Sequence, residues 1–160
     1  MNDGPSSPVC YAAQADDVYM GYAGREEILT ALNELLEAER AGARVASQSR
    51  AATIDADMAD LLKNVGMDEA RWCAMLTRQI ARIGGSASPI CGAFYDKAMV
   101  IPDLVERLGF LNRGQGWVVR KITALLPRVR DEVLHANLRA MLEGHDTNIA
   151  TAASYLKNHR

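Results

Sequence analysis

Ile28-Leu29-Thr30-Ala31-Leu32-Asn33-Glu34-Leu35-Leu36-Glu37-Ala38-Glu39 is the stretch whose reading decides the fold. A helix turns about 100° per residue, so Ile28, Leu32, Leu35 and Leu36 fall on one face, and Ala43 and Ala46 extend it. Glu39 sits in the middle of that apolar stripe, while Glu37 and Arg40 lie outside it. Three later segments repeat the pattern. Met58, Leu61, Leu62, Val65, Leu76, Ile80 and Ile83 form a stripe with Glu69 at its centre, flanked by Trp72 and Cys73. Leu104, Leu108, Leu111, Val118, Ile122 and Leu126 surround Gln115, and Leu134, Leu138, Met141, Leu142, Ile149 and Leu156 surround His145.

Punctuation residues bound these helices at 25–50, 55–83, 102–126 and 129–156. Asp55 is suited to an N-cap, Gly84-Gly85 to a stop, Pro102 to a first turn and Pro127 to a break. The first and third connections are short, so each joins an antiparallel hairpin. The second is long enough to travel the length of the molecule, which makes the second and third helices parallel. The expectation is an all-α, four-helix bundle over 25–157 made of two hairpins and one long crossover. Residues 1–24, with Tyr11, Tyr19, Met20 and Tyr22 among prolines and glycines, read as an irregular arm packed on the bundle.

Composition narrows the function classes. The 160 residues are 49% hydrophobic, 24% charged and 6% aromatic, with formal net charge −2. That is the balance of a globular domain. No basic run points to nucleic acid, and no apolar stretch reaches the length of a membrane span. With no leader pattern and three cysteines, the chain is expected to be cytoplasmic and without a disulfide framework. Ser7-Pro8-Val9-Cys10 and Ser88-Pro89-Ile90-Cys91 are near copies. Both cysteines read first as small apolar residues beside turns, with a redox pair or soft-metal site as the alternative.

Glu39, Glu69, Gln115 and His145 all lie near the midpoints of their helices, so a bundle brings them to one level of the interior. An unpartnered buried carboxylate costs several kcal/mol, and two facing each other compound the cost. In one reading the imidazole and amide close a hydrogen-bonded network with the carboxyls. In the other, Glu39, Glu69 and His145 ligate a cation, with Gln115, Trp72, Asn148 and Cys73 around them. Glu132-Val133-Leu134-His135 offers two ligands by spacing, but Glu132 points away from the apolar stripe. Pairing with Arg78 or Arg82 is the role expected there.

Leu32-Asn33-Glu34-Leu35-Leu36-Glu37-Ala38-Glu39 resembles the first helix of bacterioferritin-type proteins, and Asp68-Glu69-Ala70-Arg71-Trp72 stands where their second helix carries Glu-x-x-His. Asp68-Glu69-Ala70-Arg71-Trp72-Cys73 and Phe110-Leu111-Asn112-Arg113-Gly114-Gln115-Gly116-Trp117-Val118-Val119-Arg120-Lys121 look like an uncharacterised bacterial family of ferritin-like domains. The resemblance implies a ferritin-like fold with a degenerate di-iron motif. Glu39 and Glu69 keep the superfamily's ligand types, whereas Trp72, Gln115, His145 and Asn148 replace the others. The expectation is therefore against a di-iron centre and for one iron or manganese ion, used in redox, oxygen or peroxide chemistry. The alternatives are a metal-free binding or stress-related module and a metal-free acid–base enzyme, the latter lacking an identifiable pocket. Phe110 and Trp117 mark a second apolar face. It is covered either by the arm or crossover or by a second copy in a homodimer, and Trp117 is expected to be largely buried in each case.

Overall fold

A computed structural model describes residues 17–160, and every structural statement below concerns them. The order is α1 (Arg25–Ala52), α2 (Ala56–Arg82), α3 (Phe94–Met99), α4 (Leu104–Leu125), a 3-10 turn (Leu126–Arg128) and α5 (Glu132–His159). Three helices start on an aspartate whose carboxylate accepts a first-turn N–H: Asp55 from Met58, Asp103 from Glu106 and Asp131 from Leu134, at 2.8, 2.8 and 2.9 Å. The cap at Asp103 moves the start of α4 two residues beyond the position suggested by Pro102, which lies before the cap. The cap at Asp131 likewise delays α5 until after the Pro127 turn.

Polar contacts fix the topology. Arg25 at the start of α1 donates to the carbonyls of Ile83 and Gly84 just past the end of α2, at 2.9 and 2.5 Å, so the two helices are antiparallel. The chain then returns along α1. Ser86 and Ser88 meet Asn33, Gly92 N–H donates to the Glu37 carbonyl at 3.0 Å, and Arg44 lies over the Tyr95 ring. Gly92 has a steric reason to be glycine: a Cβ there would stand 2.9 Å from the Glu37 carbonyl oxygen. α4 runs back against α1, with Arg107 beside Ser49 at one end and Lys121 bonded to Glu34 nearer the other. Arg82 to Asp131, at 2.7 Å, ties the end of α2 to the start of α5. Thus α2 and α4 point the same way, linked by a crossover holding a short helix that the sequence periodicity left as linker.

The interior divides in two. One apolar cluster joins Leu32, Leu35, Leu36, Leu76, Ile80, Ile122, Leu134, Leu138 and Met141, all fully buried, with Trp72, Met75 and Val118. The other joins Val45, Ala46, Met58, Leu61, Leu62, Val65, Leu108, Leu111, Ala152 and Leu156. On each long helix the boundary between them falls at Glu39–Gly42, Glu69, Gln115 or His145–Asn148. Burying one such leucine contributes about 1.5–3 kcal/mol, and the four helices hold together through these two blocks.

The surface differs from expectation at Trp117, while only residues 17–24 of the arm are described and Tyr11 lies outside them. Tyr19 is 86% exposed and Met20 56%, so in the described part of the arm only Ala23 packs into the core, held by its N–H to the Arg128 carbonyl. Trp117 is 41% exposed. Its neighbour Phe110 is instead covered by the crossover, where Phe94 stacks on it with ring centroids 4.7 Å apart. Among the described residues, no helix is long and apolar enough to cross a membrane.

Candidate functional site

Glu39, Glu69, Gln115 and His145 are each no more than 3% exposed. α1 and α5 bring Glu39 and His145 together: Nε2 of the imidazole lies 2.9 Å from Glu39 Oε1. The other ring nitrogen, Nδ1, lies 2.9 Å from the Met141 carbonyl, one turn back on α5. A carbonyl only accepts, so Nδ1 carries a hydrogen, and the proton between Nε2 and Glu39 belongs to the pair. Burial alone pushes the imidazole down, but the bond and charge of Glu39 outweigh it and hold His145 above its ordinary value. Burial raises Glu39, against the pull of His145.

Glu69 has no such partner. Burial, with the nearby charges of Glu39 and Asp68, drives its carboxyl well above the usual range. Its position is prepared by α1: Gly42 follows Glu39 by three residues, and a Cβ there would overlap the carboxyl group, whose carbon would be 2.7 Å away. Glycine leaves the hollow that Glu69 fills. Across the interior, Gly144 makes room for Trp72, whose ring would stand 2.9 Å from an added Cβ. Trp72 therefore packs against α5 at Gly144, with Arg71 over its ring.

Glu39 Oε2, Glu69 Oε2 and Gln115 Oε1 are buried without a hydrogen-bond partner. All three residues line one cavity of about 600 Å³ that opens at the surface. Its walls are Ala38, Phe94, Phe110, Leu111, Trp117 and Val118, with Lys97 and Arg113 among the lining charges. This cavity escapes a sequence reading because it is lined jointly by α1, the crossover and α4, and periodicity carries no distance between elements. Gly42 was legible in principle, as a glycine one turn from Glu39 on the buried face.

The remaining residues singled out by sequence fall around this centre. Asn148 donates to Asp68 Oδ2 at 3.0 Å rather than to Glu39. Cys73 is half-buried, its thiol pushed up to about 12 by burial and the charge of Glu39, which leaves it a poor nucleophile. Arg82, the partner expected for Glu132 or His135, pairs with Asp131 instead. Cys10 lies outside the described residues. Among the described residues, no three His, Cys, Asp or Glu side chains are grouped to hold a metal ion.

A family model described as a domain of unknown function (DUF6306) matches residues 26–154. The chain belongs to that family. The match spans α1 to most of α5, so Glu39, Glu69, Gln115 and His145 all lie inside the DUF6306 domain. No curated protein and no solved structure matches the chain.

Proposed function

We propose that this DUF6306 protein is a ferritin-like four-helix bundle whose polar level is a site for a single cation, reached through the cavity. One observation carries the reading: one oxygen each of Glu39, Glu69 and Gln115 is buried without a hydrogen-bond partner, and all three residues line one open cavity. Buried acceptors lacking partners are costly, and a cation is the occupant that relieves all three at once. The two-hairpin topology with a single long crossover supports the ferritin-like assignment.

For the iron or manganese ion expected from the sequence, the donor set fits through oxygen. Glu39 Oε2, Glu69 Oε2 and Gln115 Oε1 would hold the ion, since both nitrogens of His145 already have partners. Such an ion supplies redox chemistry on dioxygen or peroxide. The chain's own contributions follow from the geometry. His145 orients Glu39 and holds or returns the proton at Glu39 Oε1, Gly42 seats Glu69, and Trp72 fills the place of a second metal ligand.

Elemental analysis of protein purified without chelators tests this. The reading expects about one iron or manganese per chain, reduced to background in Glu69→Gln. Metal content near zero in the wild type, with no uptake of added Mn(II), overturns it.

A second reading, a closed structural network without a ligand, is favoured by the Glu39–His145 bond but leaves Glu69 and Gln115 unexplained. A homodimer through the Phe110/Trp117 face remains part of the proposal. It is narrowed to Trp117, because Phe94 already covers Phe110. Solution scattering over a concentration series distinguishes one copy from two.

A further inference from the structure

The cavity is much larger than an ion and its water ligands require. A water takes about 30 Å³ of liquid, whereas this space holds about 600 Å³. That is within the range of pockets that enclose a small organic molecule. Its lining is also mixed in chemistry. Glu39, Glu69 and Gln115 form its buried side, each with one oxygen that lacks a hydrogen-bond partner. The rest of the lining holds the rings of Phe94, Phe110 and Trp117 and the aliphatic surface of Ala38, Leu111 and Val118, with Glu34, Glu37, Lys97 and Arg113 as charged members.

We propose that the cavity binds a primary amine in its protonated form, the ammonium group at Glu39, Glu69 and Gln115 and an apolar body along the aromatic walls. The inference rests on the reading of the polar level as a cation site and names an organic occupant for it. An ammonium carries three N–H donors, matching the three open acceptors in number. Its positive charge answers two buried carboxyls, of which Glu39 is already bonded to His145 and Glu69 has no basic hydrogen-bond partner, while Lys97 and Arg113 also line the cavity. A neutral alcohol of the same shape brings one donor and no charge. A carboxylate would bring a third negative group into a buried space that already holds two acids, which is strongly unfavourable. The aromatic faces favour a cation close by as well as an apolar body. A metal ion and the ammonium then compete for the same oxygens.

The test uses the full chain after metal removal by chelator, with 2-phenylethylamine, 2-phenylethanol and 3-phenylpropanoate as probes in calorimetric titrations at pH 7.5. The amine is expected to bind at one per chain, at least tenfold more tightly than the alcohol, with no detectable binding of the carboxylate. Saturating MnCl2 should weaken amine binding at least tenfold, as should Glu69→Gln in protein shown to be folded by circular dichroism. Trp117→Ala should weaken it a few-fold through the lost wall. Equal or tighter binding of the alcohol or carboxylate overturns the proposal, as does amine affinity unchanged by Glu69→Gln. If Mn(II) binds at one per chain while the amine does not, the ammonium inference falls and the cation site stands. If neither binds, both fall.

Discussion

The polar level and the apolar clusters on either side of it are built by the same four helices, yet they obey opposite rules. In the clusters, Leu32, Leu35, Leu76, Ile80, Ile122 and Leu138 lose all contact with water and bury nothing that wants it. At the polar level, two carboxyls and an amide are equally buried, and an oxygen of each lacks a partner. The clusters stabilise the fold, whereas the level between them gives stability back. Buried groups that carry that cost beside an open cavity are what the proposed cation site rests on.

The largest expected effect sharpens the apolar side of the contrast. Leu138→Ala, at a fully buried position with little room to collapse, should lower unfolding free energy by about 2–5 kcal/mol in denaturant titrations. His145→Leu comes next. It removes the one partner of Glu39 and the donor to the Met141 carbonyl, for an expected loss of about 1–3 kcal/mol. Gly42→Ala should cost a similar amount, about 1–3 kcal/mol, through overlap with the Glu69 carboxyl. Its cost should largely vanish in the Gly42→Ala/Glu69→Ala pair, a non-additivity that a double-mutant cycle measures. Additive losses would mean that the glycine is not shaped around Glu69.

How much of this was readable from the chain differs between the same two regions. The clusters were legible because a stripe such as Ile28, Leu32, Leu35 and Leu36 has only one helical face to occupy, and the all-α class follows from four such stripes. Placing Glu39, Gln115 and His145 within their stripes needed nothing further. The partnerships were not legible. Nothing in the spacing says that Glu39, rather than Glu69, takes the imidazole, or that Asn148 turns to Asp68. Those choices depend on helix rotations of a few tens of degrees. The exposure of Trp117 was missed because Phe94, in a segment read as linker, supplied the cover that Phe110 needed and reached no further.

The smallest effect is the most telling in sign. Glu69 in the folded chain keeps its proton above the ordinary carboxyl value of 4.5, whereas the unfolded chain loses it there. Over that window the native state holds more protons than the unfolded state, so stability falls as pH rises. His145, raised above 6.5, acts in the same direction, its contribution present below that value and lost as pH climbs through its folded pKa. Metal-free wild type should therefore be less stable at pH 8 than at pH 6, and Glu69→Gln should flatten much of that slope.

Thermal unfolding of chelator-treated wild type and Glu69→Gln at pH 8, each with and without MnCl2, tests the central claim most directly. Without the ion the variant should melt at or above the wild type, because a buried acid has been neutralised. With the ion, the wild type should rise and the variant should not. A variant that melts well below the wild type, with neither protein responding to the ion, would contradict the account and leave Glu69 as part of a purely structural network.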